Sequence, residues 1–246
     1  MHWYGVLAAL GFYAGLLTAA RRARSVGMAP EVIWNMGTWL VIGALLGARI
    51  WYVVSYWKED FAARPLLETL MIHRGGLVFY GGLIGAFATS YIYVRRNGLD
   101  AWQMADLMAP SVALGHGIGR IGCLMHGCCY GMACELPWAV HFPVDHETKG
   151  AGVHPTQIYE AGLNLLLSLA LSRLFQFRKF HGQVFAVYLC SYALLRSFVE
   201  AFRGDYPIRY ANGLLTPAHL ISIGIFSVGA LLFLVLRNRL PSPVAR

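Results

Sequence analysis

Seven apolar runs, separated by short clusters of arginine and lysine, limit this chain more than any other feature. They are Tyr4 to Ala20, Val32 to Val54, Gly75 to Val94, Ala105 to Ile118, Ile158 to Leu174, Gly182 to Phe202 and Leu214 to Leu236. An apolar run of about 17–25 residues is the length of a helix crossing a bilayer. A backbone in lipid must satisfy its own hydrogen bonds, which leaves helices as the economical solution for such runs. Composition agrees. The chain is 57% hydrophobic and 13% charged, against roughly a quarter charged in soluble domains. The expected fold class is therefore an all-α polytopic membrane protein, one domain over residues 1–246 with about seven transmembrane helices.

The net charge of +8 does not point to nucleic acid, because the basic residues are not gathered on one stretch. They sit at 21–24, 95–96, 173–179 and 237–246, in alternate connections between the runs. By the positive-inside rule these positions share the cytoplasmic face. The N-terminus is then outside, the C-terminus is cytoplasmic, and the intervening segments 55–75, 119–155 and 203–212 are extracytoplasmic. No basic n-region precedes the first run, so it reads as an uncleaved helix. The tail PSPVAR reads as disordered.

The stretch GHGIGRIGCLMHGCCYG, Gly115 to Gly131, concentrates the chemistry. Arg120 stands among Gly115, Gly117, Gly119 and Gly122. Glycine allows tight turns and close backbone approach, and a guanidinium suits a phosphate. The expectation is a loop beginning at Gly119 that holds phosphate through backbone and arginine. Gly117 to Gly122 also matches G-x-G-x-x-G, but no βαβ unit surrounds it, so the match carries no nucleotide-binding weight. Cys123, His126, Cys128, Cys129 and Cys134 leave three readings open: a disulfide on an oxidising face, inert small residues, or zinc. No pair of C-x₂-C knuckles is present to favour the metal.

Charges inside apolar runs are costly and mark function by default. Tyr192, Arg196, Glu200 and Arg203 recur at helical spacing on one face. Two arginines to one acid leave positive charge for an anion; a structural ion ladder is the plainer alternative. Arg49, Asp106 and Glu160 are further embedded charges, each read singly as a structural partner. Gly81 and Gly82 suit close helix packing, and Tyr80 before them is either an interfacial aromatic or a donor to ligand. His154, Gln157 and Glu160 line one side of a helix entry marked by Pro155. His116, His141 and His219 carry no evident role.

Taken together, the motifs resemble those of the bacterial prolipoprotein diacylglyceryl transferase family, nearly end to end. His2-Trp-Tyr-Gly5 and Gly47-Ala-Arg49 resemble its first two helices. Tyr80-Gly-Gly-Leu-Ile-Gly85 resembles H-G-G-L-I-G, and Asp106 with Ala109-Pro110 resembles D-x-x-A-P. Gly119-Arg-Ile-Gly122 resembles the start of G-R-x-G-N-F-x-N-G-E. His154 to Glu160 resembles H-P-S-Q-L-Y-E, and the Tyr192 to Arg203 ladder resembles Y-x-x-x-R-x-x-x-E-x-x-R. This chain departs where Cys123, His126 and Cys128 replace Asn, Asn and Glu, and where Tyr80 replaces His.

The resemblance implies a multi-pass protein of the bacterial inner membrane that moves the diacylglyceryl group of phosphatidylglycerol to the lipobox cysteine of a prolipoprotein. A thioether forms and glycerol 1-phosphate leaves. It implies no cofactor, metal or nucleic acid. Arg120 and Arg196 are expected to clamp the phosphate, with Glu200 orienting an arginine. Tyr4, Gly81, Gly82, Asp106, His154, Gln157, Tyr192 and Arg203 are expected along the substrates. For the thiol proton, His126 as base or relay stands beside loss to water, with Tyr80 on the lipid head group. A redox or metal-using paralogue and a non-catalytic phospholipid-binding or transport protein are the alternatives.

Overall fold

The computed structural model describes residues 2–61, 69, 75–203 and 216–238. The charged segment 62–68, most of 203–212, the start of the seventh run and the tail with its basic cluster at 239–246 lie outside the described residues. Among those described, seven long α-helices carry the chain: α1 (His2–Arg24), α2 (Pro30–Ser55), α3 (Phe79–Arg96), α4 (Ala101–His126), α5 (Thr156–Phe177), α6 (Gln183–Glu200) and α7 (Pro217–Asn238). A π-helical turn, Trp57–Phe61, follows α2, and two short strands, β1 (Val140–His141) and β2 (Gly152–Val153), lie between α4 and α5.

Four of the helices, α1, α2, α5 and α7, are long and apolar enough to cross a membrane. The protein is thus mostly helical and membrane-like in character. The others are shorter or carry polar and charged residues, as α6 does with Arg196 and Glu200.

The chain packs as two compact units. In the unit spanning Ala23–Met104, α2 and α3 approach through glycine. A Cβ added at Gly47 would sit 2.8 Å from the Gly85 Cα, and one at Gly81 would overlap the Gly47 carbonyl. A Cβ added at Gly82 would lie 3.3 Å from the Ala44 carbonyl, a tight contact, and 3.5 Å from the Ala48 Cβ. Gly81 and Gly82 therefore serve helix–helix contact, the small-residue mode of membrane packing. Arg49 is buried here and donates to the carbonyls of Thr69 (2.7 Å), Gly75 (2.7 Å) and Gly76 (3.1 Å). Its guanidinium also lies over the rings of Tyr52 and Phe61.

The other unit, Met1–Arg22 with Ala105–Arg246, holds α1, α4, α5, α6 and α7. Here the structure corrects the sequence reading. The fourth helix does not stop at Ile118; it continues through the glycines to His126. Gly119, Arg120, Gly122, Cys123 and His126 are helical, so no phosphate loop exists at this point. Gly115, Gly117 and Gly122 are contact surfaces instead, whereas Gly119 has open space beside it. A Cβ on Gly11 would lie 2.9 Å from the Gly115 carbonyl, one on Gly117 3.1 Å from the Ala161 carbonyl, and one on Gly122 3.3 Å from the Tyr4 ring. They let α1 and α5 approach α4 at backbone distance, which offsets the helix cost of glycine.

The segment after α4 is tied down by backbone pairing. β1 and β2 pair antiparallel, Val140 opposite Val153. Gly131 bridges to Arg203 and Ala133 to Val153. This small sheet was not anticipated; its strands are too short to show a period of two.

Candidate active site: a buried arginine–carboxylate network beside three thiols

His116, Arg120 and Cys123 follow one another at helical spacing on α4, so they share a face. Across from them α5 buries Gln157, Glu160 and Asn164, again spaced for one face. Arg120 Nη2 lies 3.0 Å from Glu160 Oε1. Arg120 Nε lies 3.1 Å from His116 Nε2, which itself lies 3.2 Å from Glu160 Oε1. The imidazole nitrogen can serve only one neighbour at a time. Neutral, it accepts from Arg120; protonated, it donates to Glu160. His116, passed over in the sequence, is thus the hinge between the pair. Its signal was its place one turn before Arg120.

The third wall is α6. The Tyr192 ring lies 5.5 Å from that of His116. One turn on, Arg196 Nη2 is 2.7 Å from Glu200 Oε2, and Glu200 Oε1 accepts from Thr216 Oγ1 at 2.8 Å. Thr216 N in turn donates to His219 Nδ1 at 3.2 Å, so His219 helps to fix the start of α7. The charge of Arg196 reaches Glu160. One face each of α4, α5 and α6 therefore contributes to a single charged interior. Among the described residues, Arg196 Nη1 is buried with no hydrogen-bond partner, as are Gln157 Oε1 and Asn164 Oδ1. Buried polar atoms are nearly always paired, so this interior keeps a cationic donor to spare among the described residues.

Below Arg120 the chain leaves α4 through Gly127 (φ +79°) and Cys129 (φ +63°), both left-handed. This turn brings the sulfurs of Cys123, Cys128 and Cys129 within 4.8 Å of one another. All five cysteines are free thiols, and Cys134 is not in the group, so a disulfide to Cys134 is not what the fold provides. The turn is anchored atom by atom. Cys128 N donates to the Cys123 carbonyl at 3.1 Å. Gln157 Nε2 donates to the Cys128 carbonyl at 2.8 Å and Thr156 Oγ1 to that of Cys129 at 2.7 Å. His146 Nε2 donates to the Gly127 carbonyl at 2.7 Å. A hydrogen bond from Cys123 holds the Cys129 thiol down to about 5, against burial, with Arg203 and Arg120 adding to the effect. Burial and the neighbouring Cys129 push Cys128 up.

The remaining expected site residues fall in several places. His126 ends α4, exposed, its ring 6.1 Å from that of Tyr4. Arg203 is buried, in the bridge to Gly131. His154 lies beside the Phe202 ring (5.3 Å), with Nδ1 3.3 Å from the Tyr159 hydroxyl. Tyr80 is exposed on the first turn of α3, in the other unit. Asp106 stands fourteen residues before Arg120 on the same helix, about 21 Å away along its axis. It is fully buried and accepts from Gly182 N (2.8 Å) and Phe185 N (2.9 Å), capping α6 from outside. Arg178 Nε lies 3.9 Å from it. These contacts account for Asp106 as scaffold.

Apolar helices enclosing a charged interior, with a buried guanidinium donor left over among the described residues, define a helical protein of membrane character. The chain belongs to the prolipoprotein diacylglyceryl transferase family, whose profile matches residues 1–235. It is 36% identical to the phosphatidylglycerol–prolipoprotein diacylglyceryl transferase of Finegoldia magna, over 94% of this chain and 89% of that one. The protein of the same name from Agrobacterium fabrum is 36% identical over 97% of this chain and 88% of its own. That of Clostridium tetani is 33% identical over 97% and 94%.

Proposed function

We propose that this protein is an inner-membrane enzyme that transfers the diacylglyceryl group of phosphatidylglycerol to the lipobox cysteine of a prolipoprotein, the first step of lipoprotein maturation. The observation that carries the reading is the unpartnered Nη1 of Arg196 in the interior shared with Arg120 and Glu160. The substrate thiol loses its proton, because the thiolate is the nucleophile. Its sulfur attacks the glyceryl carbon that bears the phosphate ester. The carbon–oxygen bond breaks, and glycerol 1-phosphate leaves with the bonding pair. Arg196 and Arg120 receive the growing negative charge as preorganised donors. Glu200 holds Arg196 by one nitrogen, leaving the other for phosphate. Glu160 and His116 hold Arg120 in the same way.

Tyr192, Gln157, His154 and Arg203 complete the wall that the substrates meet. Tyr4 and His126 stand at the outer end, where His126 relays the thiol proton. Tyr80, with Gly81 and Gly82 keeping α3 close to α2, meets the lipid head group. All seven helices span the membrane, with the N-terminus and the cysteine segment outside and the C-terminus in the cytoplasm. Relatives named for the transferase over nearly the whole chain favour transfer over a lipid-binding or transport protein.

The test is transfer from phosphatidylglycerol vesicles to a lipobox peptide, read as thioether product, with complementation of a transferase-depleted strain alongside. Arg196→Ala and Arg120→Ala should each lower the rate ~10²-fold or more. Lysine should rescue poorly, because it lacks the planar fork. Full activity in both lysine variants would remove the clamp.

A further inference from the structure

Three thiols meeting at one point is more than a disulfide needs. A disulfide would use two sulfurs and strand the third, whereas Cys123, Cys128 and Cys129 all lie within 4.8 Å of each other. With zinc–sulfur bonds of 2.3 Å, tetrahedral ligand sulfurs stand about 3.8 Å apart. A small inward rotation of the side chains therefore closes the group around one ion. The surrounding contacts are those of a prepared site. Gln157 and Thr156 hold the carbonyls of Cys128 and Cys129, and His146 holds that of Gly127. Such outer contacts orient ligands and are costly to lose. Arg120 and Arg203 act on Cys129, and would offset the surplus negative charge of three thiolates around a divalent ion.

We propose that Cys123, Cys128 and Cys129 bind one thiophilic divalent cation of the zinc class, with a fourth position open to the substrate thiol. Soft thiolates select such ions, and three protein ligands with one open position are the pattern of catalytic rather than structural zinc. The second half of the proposal rests on the transferase reading. A thiol that coordinates the ion loses its proton outright, and the proton passes to water. The bound thiolate then attacks the glyceryl carbon, the phosphate leaves with its electron pair, and the neutral thioether dissociates from the metal. No oxidant or reductant enters. Cys123 sits one turn after Arg120 on α4, and Cys128 and Cys129 lie in the turn that follows the helix, which sets the activated sulfur near the phosphate clamp.

The experiment uses the full chain purified in detergent under reducing conditions, stripped of metal and titrated with Co²⁺. Wild type should develop thiolate-to-metal charge-transfer absorption, displaced by Zn²⁺. Cys123→Ser, Cys128→Ser and Cys129→Ser should each weaken Co²⁺ binding ~10-fold or more, whereas Cys134→Ser and Cys190→Ser should not. A lipobox peptide should shift the band, and the same peptide with serine for cysteine should leave it alone. No band in wild type, a band that survives the triple serine variant, or a band blind to the cysteine peptide overturns the proposal. Wild type that makes thioether at an unchanged rate after stripping would overturn the metal and leave the transferase. A peptide-sensitive band in a protein that makes no thioether would support the metal and sink the transferase.

Discussion

Arg120 and Glu160 meet at 3.0 Å between α4 and α5, forty positions apart in sequence, and the neighbouring chemistry is arranged around that pair. Glu160 is almost fully buried and Arg120 mostly so. Glu160→Gln should leave a buried cation without its counter-charge and destabilise the protein by roughly 3 to 5 kcal/mol. Removing both charges together should cost less than removing Glu160 alone. Reversible unfolding of the four members of that cycle in detergent measures the coupling, and additive costs would disprove it.

Glycine substitutions should separate two environments. Gly85→Ala places a methyl into the Gly43 carbonyl, whereas Gly119 and Gly162 have open space. We expect Gly85→Ala to lower thermal stability sharply. Gly162→Ala and Gly119→Ala should be neutral or stabilising, by up to ~1 kcal/mol from helix propensity. Melting temperatures of the three variants in one detergent decide the matter.

Asp106→Ala should act through stability and not through the substrate. It leaves the backbone donors of Gly182 and Phe185 unpaired, at roughly 1 to 3 kcal/mol. The transfer assay should show a lower yield of active protein with KM for phosphatidylglycerol unchanged. A raised KM at unchanged stability would return Asp106 to the lipid site.

Topology is open to direct reading. Reporter fusions after Arg96 and Arg239 should report cytoplasm, and fusions within 143–152 the outside, as the distribution of Lys and Arg requires. A cytoplasmic signal from the last would reverse the assignment of the cysteine segment.

The relay role of His126 separates from that of Tyr80 by pH–rate profile. His126→Gln should slow transfer and alter its pH–rate profile, because it removes the side chain that would carry the thiol proton. Tyr80→Phe should change lipid binding with the profile intact. An unaltered profile and rate in His126→Gln would exclude the relay.

The sequence by itself determined the class of the molecule. Long apolar runs and sparse, clustered charge admit few folds, because lipid tolerates little besides helices. Helical spacing likewise put Tyr192, Arg196 and Glu200 on one face without any coordinates. Only the tertiary structure decided what those faces meet. The glycines around Arg120 read locally as a loop, since glycine weakens an isolated helix; the packing of Gly115, Gly117 and Gly122 against Gly11, Ala161 and Tyr4 offsets that cost within α4. His116 became visible only when Glu160 closed on it from another helix. The three thiols were legible as a cluster in sequence. Their common point depends on the left-handed turn at Gly127 and Cys129, and on carbonyls held by Gln157 and Thr156 from nearly thirty residues away. Periodicity describes one helix at a time, whereas partners between helices are set by packing, which no local pattern encodes.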